Sequence, residues 1–169
     1  MSWRSATILL ALGMESMPPA MAQDATACLN RIQAMRDAVD CQNTAGYRNV
    51  TWHDGYTEFA DGRRSSFLEA RLNGPCPKYR TFHREIRTSF PSANTQIVRL
   101  KSISTRVAFD GRYSGDYTVS NMEYVCERRD GRWGIFSQTW LSRNDLVNEN
   151  AAADFRRSGG YDRDLETEY

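Results

Sequence analysis

Ser120–Arg143 reads S-N-M-E-Y-V-C-E-R-R-D-G-R-W-G-I-F-S-Q-T-W-L-S-R. Two runs of β-forming residues flank Asp130-Gly131. Asp-Gly is a preferred pair for a two-residue hairpin turn, because both central positions need positive φ. With that turn, Arg129 faces Arg132, Cys126 faces Ile135, Tyr124 faces Ser137 and Met122 faces Thr139. Side chains alternate along a strand. Met122, Tyr124, Cys126, Trp133, Ile135 and Leu141 then form a mostly apolar face, the predicted core side. Asn121, Glu123, Val125, Glu127, Phe136, Gln138 and Trp140 form the other. Apolar groups rimmed by polar ones suit a partner surface; an ordinary solvated face is the alternative. A lone hairpin is marginal in water, so more strands or a helix must cover it.

Upstream, Leu29, Ile32, Met35 and Val39 recur at three- and four-residue steps and predict an amphipathic helix from Ala25 to about Val39, with Asp24 as N-cap and Gly46 as a stop. Val50–His53 reads as a short strand, Asp54-Gly55 as a turn and Tyr56–Phe59 as the returning strand. After a turn at Asp61-Gly62, Phe67, Leu68 and Leu72 predict a second helix over Arg63–Leu72, ended by Asn73-Gly74-Pro75. Tyr79–Phe90 alternates, with Phe82, Ile86 and Phe90 on the buried face and His83, Glu85 and Arg87 on the solvated one. After the connection at Pro91–Asn94, Ile97–Phe109 is a long β-rich run. Its alternation slips near Ser102–Thr105, which predicts a bulge. Asp110-Gly111 turns the chain into the central hairpin.

The chain has 169 residues, 40% of them hydrophobic, and a net charge of +1, which suits one globular domain. A dedicated nucleic-acid binder carries a strong basic excess, and none is present. Residues 1–22 read as a secretory signal peptide: Arg4 precedes an apolar run from Ala6 to Met14, and Ala20-Met21-Ala22 follows as an A-x-A cleavage pattern. The apolar run is too short to span a bilayer. Cleavage leaves a chain starting at Gln23, with no membrane span and a periplasmic or secreted location. Residues 23–143 form the predicted domain, and 144–169 a polar, flexible tail in which Ala151–Arg157 is a possible short helix.

Export favours disulfides, and Cys28, Cys41, Cys76 and Cys126 allow three pairings. Cys28 and Cys41 on one straight helix would stand roughly 20 Å apart, so that pairing needs a break between them. Cys76, in a Pro-flanked loop, can clamp the strand holding Cys126, a closure worth roughly 4 kcal/mol. No C-x-x-C or paired-His spacing points to a metal, and no pattern points to a cofactor.

Tyr47–Leu72 (Y-R-N-V-T-W-H-D-G-Y-T-E-F-A-D-G-R-R-S-S-F-L-E-A-R-L) and Tyr124–Trp140, with its D-G-x-W turn, resemble the nuclear transport factor 2-like superfamily in its SnoaL-like and ketosteroid-isomerase-like branch. The resemblance implies an α+β fold: a curved antiparallel sheet wrapped as a cone around N-terminal helices, with a pocket inside and a homodimer through the outer sheet face. It implies no single activity, since isomerases, dehydratases, cyclases, epoxide hydrolases and non-catalytic binders share the fold.

Proton transfer in such a cone needs a carboxylate or His on an apolar wall, its pKa tuned by burial. His53 and Asp54 are the catalytic candidates; His83 falls on the solvated strand face. Tyr124, Ser137 and Thr139 on the inner hairpin face can orient a ligand among Met122 and Phe67, with Trp52 and Tyr56 beside them. The same residues also read as core aromatics and hydroxyls bonded to the backbone. No Ser-His-Asp spacing, nucleophile elbow or phosphate-cradling loop is present. Three functions follow: an exported pocket protein binding a small, partly apolar molecule; an isomerase- or dehydratase-like lyase; or an interaction module using the outer sheet face.

Overall fold

The computed structural model describes residues 25–107 and 113–146, apart from the side chains of 113–116 and 144–146. The signal peptide, the Asp24 cap, the Asp110-Gly111 turn and the tail helix lie outside the described residues.

Two helices precede the sheet: α1, Ala27–Asp40, and α2, Thr44–Val50. The buried seam of α1 is Cys28, Ile32, Met35 and Ala38, with Leu29 and Val39 half-buried beside it. Thr26 makes no side-chain cap; instead the buried Gln96 side chain accepts the Cys28 N–H at 3.1 Å. Gly46 does not stop α1. It lies within α2, where a Cβ would meet the Asn43 side chain at 2.9 Å, so α2 can turn tightly off its Asn43 cap.

Six strands follow: β1 Thr51–Glu58, β2 Arg64–Ser66, β3 Tyr79–Ser92, β4 Thr95–Val107, β5 Tyr113–Arg129 and β6 Arg132–Leu146. Their order is β2-β1-β6-β5-β4-β3 in a curved, unclosed sheet. The fold is α+β as expected, but the sheet is mixed, because β1 runs parallel to β6.

Two of the predictions for Val50–Leu72 fail. Asp54-Gly55 makes no turn, and β1 runs through it. Gly55 is there for space: a Cβ would stand 2.5 Å from the Phe136 carbonyl and 2.8 Å from the Phe67 ring. Arg63–Leu72 is not a helix but β2 plus one 3₁₀ turn, Phe67–Glu69. Its S-F-L-E start forms a capping box between Ser66 and Glu69. The segment then extends, because Leu72 exchanges hydrogen bonds with Thr44 at the start of α2.

The hairpin turns at Asp130-Gly131, with φ of 51° and 77°. Cys126 pairs with Ile135, but one extra residue then enters β6 at Phe136 and another at Leu141. Tyr124 consequently faces Gln138 rather than Ser137, and Met122 faces Trp140 rather than Thr139. The bulges exchange faces. Trp140 packs against the core, Ser137 and Thr139 sit opposite Val125 and Glu123 on the outer side, and Leu141 is exposed rather than buried. The bulge expected at Ser102–Thr105 is absent: those residues pair one-to-one with both neighbouring strands, and the register shift comes after Thr105, where β5 runs from Tyr117 to Tyr113 against Thr105 to Val107 of β4.

The face of β3 is also inverted. Thr81 is buried and His83 half-buried under α1, whereas Ile86 and Phe90 are exposed. A bulge between Arg84 and Arg87, with Glu85 at φ 53°, ends the simple alternation.

Two disulfides tie the layers: Cys28–Cys126 joins α1 to β5, and Cys41–Cys76 joins the end of α1 to the loop before β3. The expected Cys76–Cys126 clamp is therefore not formed. Cys28 lies on the α1 face that meets the sheet, and Lys78, two residues after Cys76, bonds its N–H to the Asp40 carbonyl at 3.1 Å, which keeps that loop at the helix end.

Candidate functional site

The inner wall of the sheet is largely filled. Phe67, Met122, Tyr124 and Ile135 pack with Ile32 and Met35, all essentially sealed from solvent. Among the described residues the Tyr124 hydroxyl bonds only the Met122 sulfur, at 3.5 Å, and burial pushes its pKa up to about 12. Met122 and Tyr124, expected against a ligand, are thus core residues lining neither cavity described below.

Open space lies instead between α1 and the edge strand β3, in a groove of about 440 Å³. Leu29, Phe82 and Ile86 supply apolar wall, and Asp40, Thr81 and His83 supply polar wall. Thr81 is a hub. Its hydroxyl donates to Asp40 Oδ1 at 3.0 Å, accepts from Arg36 Nη2 at 3.2 Å, and meets the Ser104 hydroxyl at 3.0 Å. One hydrogen and two lone pairs are thereby all used. Arg36 and Asp40, one helical turn apart, also form a 3.8 Å ion pair. Burial raises the Asp40 pKa, and the attraction of Arg36 and the Thr81 hydrogen bond only partly offset it.

His83 stands two residues beyond Thr81 on the same strand face. Burial, reinforced by the Arg36 and Arg84 charges, lowers its pKa to about 4, so the imidazole is neutral at pH 7. Its Nε2 is sealed from solvent and has no partner among the described residues. The predicted solvated position of His83 is corrected accordingly: α1 lies over the Thr81–His83 side of β3.

A second cleft, about 170 Å³, opens where α2, β1 and the β5–β6 turn meet. Arg48, Thr51, Trp52, His53, Phe67, Leu68 and Arg132 line it. Trp52 lies flat on β6, where a Cβ at Gly134 would stand 2.8 Å from the indole, and its Nε1 donates to the Glu127 carbonyl at 3.1 Å. The His53 side chain is 79% exposed, with Nδ1 4.0 Å from Asp54 Oδ1. Asp54 does not enter this cleft. Arg129 Nη1 grips both its oxygens, at 2.7 and 2.9 Å, and holds its carboxyl below the usual range. Tyr56 stacks edge-on against Phe136 with ring centres 5.8 Å apart and carries Arg64 over its face.

The structure thus brings Trp52, His53 and Phe67 to one cleft, leaves Asp54 beside His53 but held by Arg129 outside it, and keeps Tyr56, Ser137, Thr139 and the core pair Met122 and Tyr124, which pack behind Phe67, out of its lining. Sequence reading missed Arg36, Asp40 and Thr81. A signal existed: Arg36 and Asp40 flank the Met35–Val39 stripe at i,i+4, and Thr81 and His83 share one face at i,i+2.

No family model and no curated protein matches the sequence. Solved structures do. The association domain of CaMKII from C. elegans aligns with a TM-score of 0.59 at 16% identity, covering 73% of this chain and 96% of that one. A putative scytalone dehydratase from Novosphingobium aromaticivorans aligns at 0.58 and 13% identity, covering 76% and 91%. The hexachlorocyclohexane dehydrochlorinase LinA-type3 from Novosphingobium barchaimii aligns at 0.55 and 16% identity, covering 75% and 95%. Identities this low speak for architecture alone, and on that architecture the chain has the cone fold of the nuclear transport factor 2-like superfamily.

Proposed function

We propose that this chain is exported and binds a small, partly apolar molecule in the groove between α1 and β3. The observation that carries the reading is the pairing of an apolar wall with polar side chains held in place around the buried, fully bonded Thr81 hydroxyl in one 440 Å³ space. Pockets that hold small ligands combine such walls with a few fixed polar groups. The two disulfides support export. Titrating the oxidised protein with a panel of small cyclic ketones and alcohols, followed by backbone-amide NMR, tests the site. Saturable shifts at Leu29, Thr81 and Phe82 are expected, weakened by Phe82→Ala. No saturable shift there would remove the reading.

A second reading rests on His83. Its imidazole is in the free-base form at pH 7 and lines the groove with Asp40, whose pKa burial raises, so a ligand that displaces the packing over Nε2 would meet a base form and a carboxyl of shifted pKa in one space. This moves the proton-transfer role expected of His53 and Asp54 to His83 and Asp40, as in an isomerase- or dehydratase-like lyase. Incubating the ligands in D₂O tests it: C–H exchange or elimination that His83→Gln abolishes while binding persists supports turnover. Binding with no exchange leaves a binder only. We also propose a homodimer through the outer sheet face, now resting on Val125 and Phe136 rather than Trp140. Sedimentation of the wild type against Phe136→Glu tests that arrangement.

A further inference from the structure

The cleft at the turn end of the sheet holds two guanidinium groups that have been placed but not neutralised. Arg48 Nη2 donates to the Leu68 carbonyl at 3.0 Å. Arg132 Nη1 donates to the Asn49 carbonyl at 2.8 Å, and its guanidinium lies 4.2 Å over the Trp52 ring. Backbone acceptors and an aromatic face therefore fix both groups, at the cost of few of their ten N–H donors. Among the described residues neither has a carboxylate partner. The nearest acid along β1, Asp54, is taken by Arg129, which also holds Glu127 at 2.6 Å. Positive charge is left facing a cleft whose floor is Thr51 and Phe67 and whose apolar wall is Leu68.

We infer that this cleft is a binding site for a small organic anion, a carboxylate carried on a compact apolar body. Arginine forks match a carboxylate with paired, charge-assisted hydrogen bonds, and positions fixed in advance lower the ordering cost of forming them. The apolar body would lie against Leu68 and Phe67, and His53 stands at the rim, open to solvent. The small volume, about 170 Å³, limits the ligand to roughly one ring. The site is separate from the α1–β3 groove, shares no lining residue with it, and does not depend on the function proposed for it.

The test uses the oxidised full chain at low salt, with benzoate, benzyl alcohol and inorganic phosphate as probes read by amide NMR. Benzoate is expected to shift residues 48–53, 67–68 and 132 saturably, at least tenfold more tightly than benzyl alcohol or phosphate. Arg48→Gln and Arg132→Gln should each weaken it about tenfold, as loss of a charge-assisted hydrogen bond does. Both substitutions lie on exposed side chains, and the dispersion of the same spectra checks that the variants fold. Equal binding of benzyl alcohol, equal binding of phosphate, an unchanged benzoate affinity in the double variant, or shifts confined to Leu29, Thr81 and His83 would each overturn the assignment.

Discussion

The Gln96 side chain on β4 accepts the backbone N–H of Cys28 in the first turn of α1, at 3.1 Å. A helix leaves its first N–H groups without partners, and here the sheet supplies what the local sequence does not. Gln96 is 1% exposed, so the bond forms out of water.

Gln96→Leu should therefore destabilise the fold by about 1–3 kcal/mol, the cost of leaving a buried donor unpaired. Urea denaturation measures this as a lower midpoint at an unchanged slope. A midpoint equal to wild type would show that the bond does not matter.

The two disulfides should differ in worth. Cys28–Cys126 spans 98 residues and Cys41–Cys76 spans 35. On the chain-entropy model, removing them as Cys→Ala pairs costs about 4.7 and about 3.8 kcal/mol. Cys28 and Cys126 are also fully buried, whereas Cys76 is exposed, so the gap should widen. Denaturant midpoints of the two double variants in the opposite order would contradict this ranking.

Acid should act through His83. Its folded pKa, about 4, lies below the unfolded 6.5, so the unfolded chain binds more protons between these values. Its contribution is present above pH 6.5 and is lost as pH falls toward 4, on the order of 3 kcal/mol at most. Arg36 and Arg84 add to the effect. Asp40, with its pKa raised, works the other way, because the folded form holds its proton longer as pH rises above 3.8. His83→Gln should flatten the stability profile between pH 6.5 and 4; a profile parallel to wild type would exclude His83 as the source.

Thr81→Val keeps the shape and removes the hub of the groove network. Loss of about 1–3 kcal/mol is expected, because Asp40 and Arg36 lose a partner in a poorly hydrated place. Any ligand of the groove should weaken with it. Stability equal to wild type would show that water replaces the hydroxyl.

Much of the fold was legible because it rests on local chemistry. The α1 stripe, the Asp130-Gly131 turn and the long meander strands follow from periodicity and turn preference. What failed was decided at a distance. Gly55 looks like a turn residue until Phe136 and Phe67 are brought against it, and Phe67–Leu72 looks helical until Thr44 claims Leu72. The groove was hidden for the same reason: His83 reads as a surface residue on a strand whose polar side is the one α1 covers. Apolar alternation marks the buried face only where the covering element is apolar too, and α1 brings Arg36 and Asp40 to this edge.

The two inserted residues in β6 behave like single-letter insertions in a two-letter code. Past Phe136 every side chain trades lining for exterior, and past Leu141 the frame shifts again. A cone of this kind can therefore re-line its inner wall without altering its hairpin turn: losing the extra residue at Phe136 would swap Gln138 and Trp140 for Ser137 and Thr139 on that wall, whereas the same loss at Leu141 would re-face only the residues beyond it.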